Sequence, residues 1–485
     1  MLSSSMLLGV VILQLLAGAV AGRSAPGIGT ELAHRVSRVG HLIHRSDRSR
    51  ADGARSLLAE IAFLRSVTYD QAVESSARST TMRDLRAGNR AEVLRRLHRH
   101  GPASRHELAT LTRLSPATVS TVTAELLDDG LLEVAGRVTS AGGRPRVLLR
   151  IPPDAGYGVG VEVGETGISV RLYDLGMTRR AEIEHPLLPD RHEPARVVDH
   201  IADGVAALPG IARIPPERVL GVGVGVPGIV QQRTSGSVVH GRAFGWEGVP
   251  LQPMLAGRLA YPVIVQNGAK VSAQGELWYG AGSGTRHLVV ALIGSGVGAG
   301  VVLNGRICTG VGGGAGEWGH TVVQLGGRSC RCGSSGCLQT YIGAEGILGR
   351  HRERCAVVHR DVERGERVDS HGQRAELAGL LTAHDCAAAC DVSTETVAYL
   401  GAGLANLLNL INPERVVLSG WAGLLLAQSR LSEIRAATAR YALARPYRQA
   451  EIVSGQLGED TVAAGAATLV VERFLGSGGR SVSAS

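Results

Sequence analysis

The sequence predicts an α/β protein in two main parts, an N-terminal winged helix-turn-helix followed by a larger domain built on a central sheet. Three observations carry this. Helical periodicity with well-marked caps runs from Asn89 to Gly130 and passes into an alternating hairpin segment. After Pro153 the chain changes to short, Val-rich strand candidates separated by glycine and alternating with helices. The positive charge sits in the first part: residues 1–150 hold 21 Arg against 13 Asp and Glu, whereas from 151 onward 30 Lys and Arg meet 30 Asp and Glu.

At 485 residues the chain is long enough for about three units of roughly 150 residues each. With 44% hydrophobic and 19% charged residues it can bury a large core, which excludes a wholly disordered, collagenous or disulfide-scaffold chain. The formal net charge is +8, and residues 82–150 alone carry 12 Arg against 7 acidic residues. That balance suits a module that meets a polyanion, with solvated surface charge as the plainer alternative.

Residues 1–81 form an N-terminal extension. The run MLLGVVILQLLAGAVAG at 6–22 is similar to the hydrophobic core and cleavage region of a secretory signal, but nothing before Arg23 is basic. At 17 residues, interrupted by Gln14, it falls short of the roughly 20 that span a membrane. Residues 23–81 are polar and rich in Arg and Ser, which predicts disorder or weak helix. Met82 reads as a natural start, with the upstream residues belonging to an over-extended reading frame.

The winged module is assigned to 82–150. Val93, Leu94 and Leu97 share one helical face, and Gly101 with Pro102 ends that helix. Ser104 and Glu107 form a capping box that opens a second helix, with Leu108 and Leu111 expected to point inward. Ser115 caps a third helix with Pro116 at its first position, where a missing N–H costs nothing. Val119, Val122, Leu126 and Leu127 face the core at helical spacing, which leaves Ala117, Thr118, Ser120 and Thr121 exposed near its start. Such short side chains let a helix sit deep in a major groove, while hydroxyls reach phosphates or base edges. The segment LLEVAGRVTSAGGRPRVLLRI then turns around Gly142 and Gly143 as a β-hairpin wing, with Arg137, Arg144 and Arg146 set to meet phosphates or a minor groove. A helical bundle with a surface hairpin is the purely structural alternative. Double-stranded DNA is the expected partner, contacted through Ser115 and these seven residues.

In the larger domain, three of the seven cysteines crowd into CRCGSSGC at 330–337, an arrangement suited to a metal and unlike a secreted framework of bridges. Glycine-rich turns recur at GVPG (225–228), NGAKVSAQGE (from Asn267), IGSGVGAGVVLNG (from Ile293) and GAGEWGH (314–320). The single lysine, Lys270, beside fifty arginines reads as a coding bias.

Together with the winged module, these segments resemble the ROK family (repressor, open reading frame, kinase), and more narrowly its NagC/XylR-type transcriptional regulators, over about residues 82–475. The resemblance implies a two-lobed actin-like, sugar-kinase (ribonuclease H-like) domain at 151–475 with a sugar in the cleft between lobes; the Gly- and Ser-rich residues 476–485, GSGGRSVSAS, read as a disordered tail. It implies sugar contacts at Gly228, Asn267, Gly268, Glu317, His320 and Gln339. His320, Cys330, Cys332 and Cys337 make a closed Cys3His set, which points to structural zinc holding the sugar-binding loop. Two positions depart from the family. Its kinases follow the asparagine with a catalytic aspartate, where this chain has Gly268, and a hydrogen atom cannot accept a proton. Gln339 replaces a family glutamate. The kinase DxGGT turn reads Glu162, Val163, Gly164, Glu165, Thr166 here, and a carboxylate at 165 is expected to repel nucleotide phosphates.

These features point to a non-enzymatic, cytoplasmic transcriptional regulator of carbohydrate metabolism, with repression favoured by family habit. It would sense a sugar or sugar phosphate and act as a homodimer or higher homo-oligomer, with no membrane partner. A ROK-type carbohydrate kinase with an appended DNA-binding domain is the enzyme alternative. It needs a replacement base, and no Asp or Glu lies between Glu247 and Glu276. A DNA-bound protein governed by a protein partner, its sugar binding lost at 268 and 339, is the third.

Overall fold

The structure, a computed structural model, describes residues 81–140, 143–187, 192–358, 370–383 and 385–480. The segments assigned to 6–22 and 23–80 lie outside the described residues, as does the Arg144 side chain. From Arg86 onward the chain forms one compact unit.

The winged module forms α1 (Met82–His100), β1 (Ala103–Ser104), α2 (Arg105–Thr112), α3 (Pro116–Asp128), β2 (Glu133–Ser140) and β3 (Gly143–Arg150). Both expected caps are made. Ser104 Oγ accepts from Glu107 N while Ser104 N donates to the Glu107 carboxylate, and Ser115 Oγ accepts from Thr118 N at 3.1 Å. The hairpin pairs antiparallel in a three-stranded sheet of order β1-β3-β2. Leu108 is fully buried, but Leu111, expected inside, is 37% exposed. Its helix has only eight residues and closes on Arg113 in the left-handed region, so nothing covers the last turn.

Residues 157–454 fold into two lobes on one plan. In the first, β4 (Tyr157–Val163), β5 (Gly167–Asp174) and β6 (Arg179–Pro186) form a meander. After α4 (Pro194–Ala212), β7 (Val219–Val226) joins β4 in parallel. The small antiparallel sheet β8 (Ile229–Gln231), β9 (Val238–Gly241) and β10 (Trp246–Val249) and the short α5 (Leu251–Ala256) precede β11 (Val263–Asn267). The resulting order is β11-β7-β4-β5-β6.

After α6 (Gly268–Tyr279) the plan repeats with β12 (Leu288–Ile293), β13 (Val297–Leu303) and β14 (Arg306–Ile307). The helices α7 (Gln339–Ile342), α8 (Ala344–Val358), α9 (Ser370–Thr382) and α10 (Ala387–Ile411) follow, then β15 (Arg415–Ser419), α11 (Trp421–Tyr441), α12 (Ala444–Gln449) and β16 (Glu451–Ser454). The second sheet has the order β14-β13-β12-β15-β16, again a meander joined by two parallel strands. The central strands β4, β7, β12 and β15 read as nearly continuous apolar runs because both their faces are covered, whereas the edge strand β6 is largely exposed.

The last helix, α13 (Thr461–Gly476), returns to the first lobe. It lies so close to that sheet that a Cβ on Gly223 would come 1.9 Å from the Ala466 carbonyl. It crosses α6 at a glycine pair, where a Cβ on Gly275 would lie 3.0 Å from Gly465 Cα. Its far end belongs to the core of the winged module: Val471, Phe474 and Leu475 pack with Val93, Leu94, Leu97 and Leu126. Residues 477–480, assigned from sequence to a disordered tail, are held here too. The Gly478 carbonyl accepts from Arg90 Nε at 2.9 Å, and Gly479 lies against Leu94 and Leu131. Among the described residues no helix is long and apolar enough to cross a membrane.

Candidate functional site

On α3, Ser115, Ala117, Ser120 and Thr121 are exposed and Thr118 is half-buried, so the expected groove-facing surface is free of the core. Two of its hydroxyls are engaged locally: Ser115 Oγ and Thr118 Oγ1 lie 2.8 Å apart, and Thr121 Oγ1 donates to the Ala117 carbonyl. On the wing Arg137 and Arg146 are both exposed. The register pairs Arg137 with Val147 and Arg146 with Val138. Cross-strand partners share a face and neighbours alternate, so the two arginines leave the wing on opposite sides.

The second lobe carries the cysteine loop. Ligand atoms of His320, Cys330, Cys332 and Cys337 all lie within 4.8 Å of one another. Cys332 Sγ is 3.6 Å from Cys337 Sγ, and Cys330 Sγ is 3.7 Å from His320 Nδ1. Metal–sulfur bonds of about 2.3 Å put tetrahedral ligands roughly 3.7 Å apart, so the donor set fits a tetrahedral ion, whereas a disulfide needs about 2.05 Å. Burial and the hydrogen-bonded sulfurs of Cys332 and Cys330 push the Cys337 thiol up. Trp318 anchors the histidine end of the loop by donating from Nε1 to the buried Gly403 carbonyl.

All six positions inferred for the sugar, Gly228, Asn267, Gly268, Glu317, His320 and Gln339, line one cavity of about 440 Å³ between the lobes. Each arrives by a local device. Gly228 adopts φ +92°, and a Cβ there would lie 2.3 Å from the His240 carbonyl, so the turn after β7 requires glycine. Asn267 caps α6, its Oδ1 accepting from Ala269 N and Lys270 N, and its Nδ2 ties in Gly228 O at 2.8 Å. Glu317 Oε2 lies 4.0 Å from His320 Nε2, so the imidazole turns Nδ1 to the sulfurs and Nε2 to the cleft carboxylate.

Gln339 Nε2 donates to Cys330 Sγ at 3.2 Å, a bond a carboxylate could not make. At Gly268 a Cβ would meet only ordinary contacts at 3.7–3.8 Å, so packing does not demand glycine there.

Three features of the cleft were not legible in sequence. Glu165, expected to face nucleotide as a bare carboxylate, is held across the cleft by Arg331, with Nη1 and Nη2 at 3.0 and 3.2 Å. Arg331 sits between two of the cysteines, so the pair bridges the first lobe and the cysteine loop. Burial pushes the Glu162 carboxyl up to about 7 against the pull of Arg171. Lys270 is buried and donates from Nζ to the Gly313 carbonyl at 2.7 Å, pinning the glycine loop that leads to Glu317.

Residues 158–473 match the profile of the ROK family, and residues 89–135 match that of the MarR family. The chain belongs to the ROK family. A glucokinase from Halalkalibacterium halodurans is 34% identical over 327 residues, which is 65% of this chain and 95% of that protein. A xylose repressor from Bacillus spizizenii is 28% identical over 397 residues, 80% of this chain and 96% of that protein. In fold the chain is similar to the crystal structure of a ROK family transcriptional regulator homologous to the Escherichia coli MLC protein. The TM-score is 0.65 at 23% identity, covering 81% of this chain and 98% of that one.

In this ROK chain two helices run from the cleft to the winged module. Helix α6 starts at Gly268 in the cavity wall and ends at Trp278 and Tyr279, against His98 of α1. Helix α13 starts at Thr461 and Val462, also in the wall, and ends in the winged core. Beyond it, buried Arg90 binds Gly478 O and Asp129 Oδ2, the latter at 2.6 Å.

Proposed function

We propose that the chain is a DNA-binding transcriptional regulator, acting as a repressor, whose ROK domain senses a sugar or sugar phosphate and does not phosphorylate it. The observation that carries this reading is the pair of helices, α6 and α13, that begin at the cleft and end on the winged module. A ligand that draws the lobes together moves the starts of both helices, and a core as closely packed as the Gly275–Gly465 crossing transmits such movement rather than absorbing it. The similarity to a xylose repressor supports the same reading.

DNA contacts are assigned to Ser115, which caps α3, to Ala117, Thr118, Ser120 and Thr121 on it, and among the wing arginines Arg137, Arg144 and Arg146 to Arg144 and whichever of Arg137 and Arg146 faces the DNA backbone. Gly228, Asn267, Glu317, His320 and Gln339 are assigned to the sugar, whose hydroxyls need oriented donors and acceptors. Zinc is assigned to His320, Cys330, Cys332 and Cys337. When bound it supplies a closed structural link that fixes the loop, and the chemistry at the ligand stays with Glu317 and His320. A homodimer would present two winged modules to a pseudo-palindromic operator, and binding to DNA implies a cytoplasmic protein.

Carbohydrate kinase activity is the second reading, favoured by the 34% identity to a glucokinase. Gly268 opposes it by offering no base at the position inferred for the family's catalytic aspartate, and the Glu165–Arg331 pair occupies the adjacent turn where nucleotide phosphates would approach.

Fluorescence anisotropy of the full chain on DNA from its own upstream region, with and without a panel of sugars and sugar phosphates, tests the proposal. Sequence-selective binding weakened by one sugar is expected. Selective binding indifferent to every sugar would transfer control to a protein partner, and absence of selective binding would overturn the regulator reading.

A further inference from the structure

A second charged cavity, of about 310 Å³, lies behind the cysteine loop and away from the cleft. Arg328, Arg350 and Arg354 line it with Glu353 and Glu395. The pairing is uneven. Arg328 and Glu353 satisfy each other through two hydrogen bonds, at 2.8 and 2.5 Å. Arg350 and Arg354 share a single carboxylate, Glu395, whose Oε2 takes Arg350 Nη1 at 2.8 Å and whose Oε1 takes Arg354 Nη2 at 2.5 Å. Two guanidinium groups therefore meet one negative charge among the described residues.

Two enclosed nitrogens mark the same shortfall, since Arg350 Nε and Arg354 Nη1 have no hydrogen-bond partner among the described residues. The Arg350 side chain is only 6% exposed, and leaving a buried cationic donor unmet is costly. Arg354 is 34% exposed and can turn its free nitrogen toward the cavity it lines. Burial, with the charges of Arg354 and Arg328 nearby, holds Arg350 below the usual arginine range, as expected of excess positive charge.

We propose that this cavity is a binding site for a small oxyanion, a phosphate or carboxylate group, held between Arg350 and Arg354. Guanidinium groups bind such groups through paired N–H donors, and the volume leaves room for a small metabolite around the anionic end. The site also touches the ligand cleft indirectly. Arg350 Nη2 donates to Tyr341 O at 2.6 Å, Tyr341 Oη accepts from Arg328 N at the base of the cysteine loop, and Tyr341 shares α7 with Gln339. The proposal stands independently of the sugar and DNA assignments.

Isothermal titration of the full chain with inorganic phosphate, and separately with acetate, at constant ionic strength tests it. Arg354→Gln is the informative variant, because it leaves Arg350 and Glu395 as a balanced pair and so retains the wild-type melting temperature. The expected result is one saturable site per chain for at least one anion, weakened at least tenfold in R354Q. The tighter of the two identifies the phosphate or carboxylate class. No saturable binding of either anion, or binding undiminished in R354Q, would overturn the proposal. So would a loss of oligomer in R354Q by sedimentation, because a second copy would then supply the missing charge.

Discussion

His98 Nε2 lies 2.5 Å from Tyr279 Oη, joining the first helix of the winged module to the far end of the helix that starts in the cleft between the lobes. The same nitrogen lies 3.2 Å from the Leu175 carbonyl, and the ring stands edge-on to Trp278 at 5.6 Å. Tyr279→Phe removes the hydroxyl and little else. It is expected to leave sugar binding within about twofold while reducing the sugar effect on DNA affinity, measured by anisotropy with and without sugar.

Burial pushes His98 down to about 4 from its ordinary value of 6.5. Between those values the unfolded chain binds the proton and the folded one does not, so this group lowers stability as pH falls from 6.5 toward 4. At pH 5 the loss relative to pH 7 is about 2 kcal/mol. Thermal unfolding across pH 4–7 should show a slope that His98→Gln diminishes; an unchanged slope would assign it to other groups.

Gly268→Asp is expected to fold with stability within about 1 kcal/mol of wild type, because a Cβ there meets only ordinary contacts. It should still show no ATP-dependent sugar phosphorylation, since Arg331 keeps the Glu165 carboxylate in the turn where the proposed kinase reading would place nucleotide phosphates. Turnover by the single variant in a coupled assay would show that the nucleotide site is intact.

One metal per chain is expected by elemental analysis. A strong chelator should lower the melting temperature and abolish the sugar response, yet leave sugar-free DNA binding in place, because the cysteine loop contributes nothing to the exposed face of α3. Equal loss of both functions would show that the loop supports the whole chain rather than the cleft.

Arg137 and Arg146 leave the wing on opposite faces, so only one of them can follow the DNA backbone. Alanine at that position should weaken binding across all sequences and lower the salt slope by about 1, whereas alanine at the other should change little. Equal effects would contradict the register.

What was legible in the sequence is what depends on near neighbours. The capping box at Ser104 and Glu107, the Ser115–Pro116 helix start and the hairpin wing each rest on residues a few positions apart, and each formed as expected. The Cys3His loop was legible for the same reason. Contacts between distant segments were not. Glu165 meets Arg331, Arg90 meets Gly478 and His98 meets Tyr279 across 166, 388 and 181 positions, and no local pattern announces such partners. Leu111 has the spacing of a core residue and fails only because its helix stops one residue later. Lys270 reads as a coding bias in the sequence, and its position inside α6 gives it a buried structural bond to the Gly313 carbonyl.

The central claim, that occupation of the cleft changes the hold on DNA, is tested most directly by reciprocity. Calorimetry would measure the affinity of the identified sugar for the free protein and for the protein saturated with its upstream DNA. Linkage requires that sugar binding weaken on DNA by the same factor by which sugar weakens DNA binding. The account predicts a decrease of tenfold or more, and equal sugar affinity in the two states would contradict it.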